Sequence, residues 1–541
     1  MKDISSTGSF VDFTLENFIY VDKTVYIPQL VKLKRVFISR PRRFGKSLTL
    51  DTIATLFETG VEPYFKGTWI YDKWTEPTYP VLRLNFLDLD KYSLEHFKQK
   101  LNAIISSFAR DINVKNYEEK VEPEDTIYFL LDELRKEKRQ IVILIDEYDC
   151  QMTANINNET LYKQFQEKIK SFYATIKNKW PIKFLGITGV TRLKDVEIFS
   201  IGSDIRDITN ASAYSQMIGF TRDEIKRYYI DYLKLAASCE NKCRVEEVTD
   251  TQIESMLDMM AQNYDGYCFD EFYKKKVFST WSVNKFFQSV VSNKFVYFGE
   301  YWYDNGGLPS ILVNYLKTHE LNIFEYLDKD KFLKVSSDDF KNPTALTTIN
   351  QNVLMCQTGY LTLRSDLNKT STVALGIPNG EIYKALNRLL ANNIFKGNTD
   401  ITDDYGRSLL EVGTVDDIIN LFNCALNSVS YDNYPIVSES SVQNMLKLYL
   451  LGAHQEVLSE VHEAKGRADL VVNTDNRRIV FEFKYAKNEI EAKSKLLDAV
   501  EQIKTRDYGN ILPKKNELIR IAAVFNADPK VRAFTENQIV P

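Results

Sequence analysis

The chain has 541 residues, of which 44% are hydrophobic and 26% charged, and a formal net charge of −5. This length suits about three or four domains, and the composition excludes a disordered or low-complexity chain. The acidic balance argues against a protein that coats nucleic acid non-specifically, a role that usually needs a basic chain, although it leaves room for a local basic groove.

Six cysteines accompany only four histidines. Cys239 and Cys243 have no second pair nearby, so reduced thiols are expected rather than zinc. No apolar stretch follows the start as a secretory signal would. The longest apolar runs, such as Ile141 to Ile145, are of strand length, far short of the roughly 20 residues of a membrane span. A soluble, cytoplasmic protein without a membrane partner is expected.

In chain order, Val36 to Ser39 reads as a buried strand and Leu48 to Glu58 as a helix. Val81 to Phe86, Ile141 to Ile145 and Phe184 to Thr188 are further strands, with helices over Glu124 to Lys136 and Leu161 to Lys177 between them. Apolar strands alternating with helices predict an α/β domain on a parallel sheet over 1–220. From 221 to 425 the pattern turns aromatic and mostly helical, as in a lid or linker, with a short strand candidate at Tyr360 to Leu363. Ser440 to Gly452 has the apolar spacing of a helix, and α/β character returns after Glu456, giving a third region over 426–541.

The first chemical signal is Ser39-Arg40-Pro41-Arg42-Arg43-Phe44-Gly45-Lys46-Ser47, which follows a strand and opens a helix. Backbone N–H groups at such a turn wrap phosphate oxygens, and Gly45 allows close approach. Lys46 would reach the β- and γ-phosphates and Ser47 would ligate Mg²⁺. Arg40 and Pro41 stand where the general motif has glycine and a free residue, a departure that weakens this segment taken alone. The strand Ile141 to Ile145, ending in Asp146 and Glu147, restores the match. Asp146 would help to hold Mg²⁺ and Glu147 would polarise the attacking water. Thr188 and Thr191, at the end of the next strand, are candidates to sense the γ-phosphate, with Arg192 as a charge stabiliser. A polar strand-to-loop junction explains those three residues equally well.

Tyr20-Val21-Asp22-Lys23-Thr24, the phosphate-loop segment through Leu48, Ile145-Asp146-Glu147-Tyr148-Asp149 and Ile187-Thr188-Gly189-Val190-Thr191-Arg192 together resemble a bacterial family. It comprises AAA-ATPase-like proteins with a C-terminal PD-(D/E)xK nuclease domain. Gly219-Phe220-Thr221, Tyr264-Asp265-Gly266-Tyr267 and Gln357-Thr358-Gly359-Tyr360-Leu361 extend the resemblance over nearly the whole chain. It implies ATP and Mg²⁺ as cofactors and a nucleotide held by Arg42, Arg43, Phe44, Gly45, Lys46, Ser47, Leu48, Asp146, Thr188 and Arg192. It also implies a helical central region and places Tyr20 to Thr24 near the nucleotide. The Arg-Pro-Arg-Arg-Phe loop is usual in that family. After the fourth strand, Asp204 stands where the family commonly has Asn, which removes the basis for a sensing role there.

The second signal lies in the last 90 or so residues. Asp469 opens an apolar strand, and Glu482 and Lys484 lie two apart on another, hence on one face. The interval between Asp469 and Glu482 suits a hairpin through Asn473 to Arg478. Glu-x-Lys alone means little, since alternating charges are common on a strand's wet face. Here Val480, Phe481 and Phe483 make both faces apolar, and a buried Glu and Lys are costly unless they work together. Asp469 and Glu482 would hold Mg²⁺, with Glu460 adding a ligand from a preceding helix, and Lys484 would orient or deprotonate a water. Gln502 would face the site from a later helix. His454 and His462 are read as surface or structural residues. The order Glu, Gly-Arg-x-Asp, Glu-x-Lys, Gln-Ile also resembles the family's restriction-endonuclease-like α/β domain.

The expected function is therefore an ATPase joined to a Mg²⁺-dependent nuclease acting on nucleic acid, DNA before RNA. A homo-oligomer is one possible assembly. Two alternatives stand beside it. One is a regulatory ATPase whose nuclease-like domain only binds nucleic acid or a protein. The other is a nucleotide switch that signals through protein partners.

Overall fold

The apolar runs of the N-terminal half form one parallel sheet. In the computed structural model, which describes residues 2–541 except 178, 194–203, 305–309, 317–322, 344, 347, 396–405, 454, 464–465, 513 and 516, its strands are β1 (Arg35–Ser39), β2 (Val81–Asn85), β3 (Ile141–Asp146), β4 (Ile182–Gly189) and β5 (Arg206–Asp207). Their order is β2-β3-β4-β1-β5, and every pair is parallel. β1 is buried along its whole length, and β3 along all but its last residue. This two-sided burial explains why these strands read as continuous apolar runs rather than alternating ones. β4 lies between β1 and β3, so the polar ends of all three open at one edge of the sheet. In open parallel sheets ligands bind at that carboxyl edge.

The chain separates into two compact units, 1–321 with 330–382, and 322–329 with 383–541. The helices Arg222–Tyr228, Ile230–Asn241, Asp250–Tyr264 and Thr280–Asn293 belong to the first unit. Sequence reading places a boundary at 220, but Ile19 and Val21, from the segment before β1, are buried in the same apolar cluster as Tyr229, Met256 and Phe287. The helical region thus shares a core with the N-terminal segment. It also carries a small antiparallel sheet of β6 (Leu333–Ser336), β7 (Thr362–Leu363) and β8 (Thr372–Gly376), in the order β6-β8-β7.

The second unit is built on β9 (Glu456–Glu463), β10 (Gly466–Asn473), β11 (Arg477–Ala486), β12 (Glu517–Asn526) and β13 (Ala533–Ile539), in the order β13-β12-β11-β10-β9. Only β11 and β12 run parallel, so the sheet is mixed. Helix Glu489–Arg506 follows β11, and its Ala499 and Ile503 cluster with Val480, Tyr508 and Ala522. Phe422, on helix Val415–Asn427, packs against Phe481 with ring centroids 5.3 Å apart. That contact draws the residues just before 426 into the C-terminal unit. Among the described residues no helix is long and apolar enough to cross a membrane.

Candidate functional site

The phosphate-loop segment runs from β1 to helix Lys46–Thr59. Gly45 caps that helix at φ +102°, a conformation that a side chain would strain. The Ser47 hydroxyl donates to Asp146 Oδ2 at 2.5 Å, and the Thr188 hydroxyl donates to the other oxygen of the same carboxylate. Three residues from three separate motifs therefore meet at one point. Lys46 is 4% exposed; its Nζ donates to the carbonyls of Arg40 and Pro41 at 3.1 and 3.2 Å and lies 3.4 Å from Glu147 Oε1. Glu147 takes a left-handed φ of +52°, the kind of backbone strain that clusters at functional positions.

A cavity of about 380 Å³ opens beside this loop, lined by Gly45, Lys46, Ser47, Leu48 and Thr49 on one side and by Tyr20, Phe220 and Trp281 among others on the far side. The Tyr20 to Thr24 element thus reaches the cavity through Tyr20, Val21 and Lys23. Lys23 itself is tied to both oxygens of Glu224 at 2.7 and 2.6 Å. The loop is clasped from the helical region. Arg43 lies over the Trp281 ring at 4.5 Å, Thr280 donates to the Arg43 carbonyl at 2.9 Å, and Phe44 is buried among Tyr267, Phe269 and Trp302. Arg42 is half-buried on the same loop.

The structure places Thr191 and Arg192 elsewhere. The Thr191 hydroxyl and N–H donate to Asp149 Oδ2 at 2.5 and 2.7 Å, and the Val190 N–H donates to Oδ1 at 3.3 Å. Arg192 is ion-paired with Asp207, and its N–H donates to Gln357 Oε1 at 3.3 Å. It does not line the 380 Å³ cavity. Asp204 pairs with Arg35 at 2.8 Å.

Sequence reasoning did not single out Asp149. Its carboxyl is 1% exposed, and burial, with the charge of Glu147, pushes its pKa up, while the donors from Thr191 hold it down. Asp149→Ala strands those three donors in the interior and is expected to cost about 3 kcal/mol, whereas Asp149→Asn keeps an acceptor and costs less. Chemical denaturation checks this, and equal losses in the two variants would contradict it.

In the second unit Asp469 lies on β10 and Glu482 and Lys484 on β11. The Phe483 N–H donates to Asp469 Oδ2 at 2.8 Å, linking the two strands at this point. Glu482 is wholly buried; its Oε1 accepts from Lys484 Nζ at 2.7 Å, and its Oε2 has no hydrogen-bond partner among the described residues. Burial, reinforced by the Asp469 charge, pushes the Glu482 carboxyl up to about 7. Burial alone would lower the Lys484 ammonium, but the hydrogen bond to Glu482 and the surrounding carboxylates keep it above its ordinary value.

Lys484 also lies 3.3 Å from Glu439, in the first turn of helix Glu439–Gly452. Glu460 stands on β9 rather than on a helix, because its segment is an extended run. Its neighbours Ser459 and Val461 pair with Leu470 and Ala468 and so bracket Asp469, while its side chain lies outside the described residues. The acidic residue that a preceding helix does bring to Lys484 is Glu439. Gln502 donates to the Tyr508 hydroxyl at 3.5 Å, and so does Arg506 at 2.8 Å. Arg506 feels the charges of Glu482 and Asp469. A Cβ on Gly466 would lie 2.5 Å from Arg506 Cδ, so a side chain there would have to displace the Arg506 side chain. His462 lies exposed on β9, paired with Arg467, and His454 lies outside the described residues.

A carboxylate oxygen that is buried, without a partner among the described residues and close enough to feel a second carboxylate fits a hard cation that takes oxygen ligands. Among the described residues, though, no group of three acidic, histidine or cysteine side chains stands ready-made for a metal. Cation binding must displace the proton that Glu482 holds below about pH 7. Mn²⁺ affinity is therefore expected to rise about tenfold per pH unit up to that point and to level off above it. Glu482→Gln should abolish the slope in a calorimetric titration, and a pH-independent affinity in the unaltered chain would contradict the assignment.

Residues 5–199 match the family model described as "Predicted AAA-ATPase", and residues 437–535 match that of the PD-(D/E)XK nuclease superfamily. An "Uncharacterized protein in vnfD 5'region" of Azotobacter chroococcum mcd 1 is 25% identical over 532 residues, which cover 95% of this chain and 94% of that protein. Among solved structures, Cdc6p from Pyrobaculum aerophilum is 12% identical with a TM-score of 0.23, over 68% of this chain and 93% of that one. The N-terminal part of the chain is thus similar to AAA-ATPase-like proteins and its C-terminal part to the PD-(D/E)XK nuclease superfamily.

Proposed function

We propose that this protein binds and hydrolyses ATP with Mg²⁺ at the first site and cleaves nucleic acid phosphodiester bonds with Mg²⁺ at the second. DNA is the preferred substrate and the cytoplasm the setting, in keeping with six free cysteines. The observation that carries the two-site proposal furthest is the buried Glu482–Lys484 pair at 2.7 Å, with one glutamate oxygen unpaired among the described residues. Such a pair is expensive to bury and more readily replaced by apolar residues if it served stability alone.

At the first site Lys46 exchanges the carbonyls of Arg40 and Pro41 for phosphate oxygens, and Ser47 with Asp146 provides the oxygen ligands for Mg²⁺. Thr188 stays hydrogen-bonded to Asp146, so the end of β4 follows any movement of that carboxylate. Glu147 is freed from Lys46 and can accept a proton from the attacking water. Tyr20, Phe220 and Trp281 offer aromatic walls to a base.

At the second site Asp469 and Glu482 provide the ligands, and a bound divalent ion there supplies charge stabilisation and a more acidic water. Lys484 would orient an attacking water and offset phosphate charge. Arg506, and Arg467 and Lys487 at the surface, give the substrate backbone cationic partners.

Nucleotide binding is proposed to regulate cleavage through the helical region, following the order of the domains. The test compares cleavage with no nucleotide, with ATP and with a non-hydrolysable analogue. A changed rate or product pattern supports coupling, and identical digestion in all three counts against it. ATP turnover without cleavage of any substrate would instead favour a regulatory ATPase with a C-terminal binding module.

A further inference from the structure

Besides the phosphate loop, two segments far apart in sequence line the cavity of about 380 Å³. One carries Tyr20, Val21 and Lys23, before β1; the other is Met217 to Phe220, just ahead of helix Arg222–Tyr228. A single ammonium group joins them. Lys23 Nζ donates to the Gln216 carbonyl at 2.7 Å and to the two oxygens of Glu224 at 2.7 and 2.6 Å. These three acceptors match the three donors that an ammonium has.

Each end of this tie is anchored on its own side. Asp22 Oδ1 accepts from the Thr24 N–H at 2.9 Å and the Thr24 hydroxyl at 2.7 Å, and Oδ2 accepts from the Trp69 N–H at 2.6 Å. Glu224 Oε2 accepts from the Thr221 N–H at 2.8 Å, and the Thr221 hydroxyl accepts from the Glu224 N–H at 3.2 Å, a capping box that starts the helix. Phe220 exchanges backbone hydrogen bonds with Phe278 at 3.2 and 2.7 Å. The Lys23–Glu224 pair is a costly way to hold a fold together. Its side chains are 13% and 23% exposed. Burial pulls the Lys23 ammonium below its ordinary value, and the Glu224 charge offsets that only in part. Apolar residues of similar volume join two segments at least as well. What the pair adds is direction, because hydrogen bonds fix a carbonyl, a carboxylate and a helix cap in one arrangement.

We infer that Lys23 and Glu224 are positioning residues for the nucleotide base, holding the segment that ends in Phe220 to the segment that carries Tyr20, so that this part of the cavity is formed before the ligand arrives. The inference rests on the reading of the cavity as an ATP site. Preformed walls spare the ordering cost that binding would otherwise meet. Lys46 and Ser47 serve the triphosphate, and the Lys23–Glu224 pair serves the base.

The test is calorimetric titration of the full chain with ATP and with inorganic tripolyphosphate, which has no base, both with Mg²⁺. In the unaltered chain ATP should bind more tightly than tripolyphosphate. Lys23→Met should lower the ratio of the two affinities by about 10-fold, the scale of one or two lost hydrogen bonds, and leave tripolyphosphate binding as it was. Glu224→Gln should act in the same direction. The double variant Lys23→Met with Glu224→Gln should lose no more than Lys23→Met alone, because the two residues work as one unit. It also leaves neither charge without its partner, which keeps the test open if a single variant fails to fold. An unchanged ratio would overturn the inference, and so would equal losses for both ligands, which would mean that the pair supports the fold and not the base. An unaltered chain that binds neither ligand would overturn the ATP reading itself, and the inference with it.

Discussion

Replacing Lys46 by Ala is expected to reduce ATP turnover by at least about 100-fold, the range seen when one preorganised charge donor is removed from a transition state. Lys46 is buried on two loop carbonyls and Glu147. The variant loses both the clamp that shapes the loop and the cation proposed to meet the phosphates. These effects separate in measurement. Loss of the clamp weakens nucleotide affinity, while loss of the cation lowers the rate at saturation. Lys46→Arg keeps the charge but not the compact ammonium, and should restore affinity better than rate. A variant with unchanged turnover would show that the Ser47–Asp146–Thr188 junction is not a hydrolytic site.

Lys484→Ala is expected to lower metal-dependent cleavage by about 100- to 10,000-fold, as for loss of a positioned proton-transfer group. The substitution also leaves Glu482 buried without its 2.7 Å partner. The Glu482 carboxyl, already pushed up to about 7, then rises further. The variant should therefore hold Mn²⁺ more weakly at neutral pH and recover part of that affinity on raising the pH. Glu482→Gln removes the proposed ligand itself, and higher pH should not rescue it. Glu439→Gln offers a third contrast. It releases Lys484 from a contact at 3.3 Å without touching Asp469 or Glu482, so cleavage should persist.

Much of this was legible in the sequence because the physical signals were local. β1, β3 and β4 are five to eight residues long, apolar and bounded by turns. The ends of these strands, at Asp146 and Thr188, and the turn at Gly45 carry polar residues that two-sided burial would otherwise exclude. Glu482 and Lys484 stood out for the same reason, as charges on a strand apolar on both faces.

Residues whose role depends on distant contacts were not legible. Glu439 reads as an ordinary acidic residue in a helix's first turn, where the macrodipole favours it, and only the fold brings it to Lys484. Asp149 looks like a solvated neighbour of Glu147 until Thr191 and Val190 close over it. Glu460 reads as helical, yet in Glu456–Glu463 Val457, Ser459 and Val461 fall at every second position, on one face of an edge strand. The boundary expected at 220 follows a real change in composition, but Ile19 and Val21 pack into the core beyond it. Arg40 reads as a mere departure from a motif; in the structure it is buried over Phe269 and does not line the cavity beside the phosphate loop.

The most direct measurement is digestion of plasmid DNA, single-stranded DNA and RNA by the purified chain with Mg²⁺ or Mn²⁺, beside Lys484→Ala and with ATP turnover followed in the same tubes. Metal-dependent cleavage by the unaltered chain, lost in Lys484→Ala while ATP turnover continues, is the predicted result. ATP turnover with no cleavage of any substrate, or cleavage that Lys484→Ala retains in full, would contradict it.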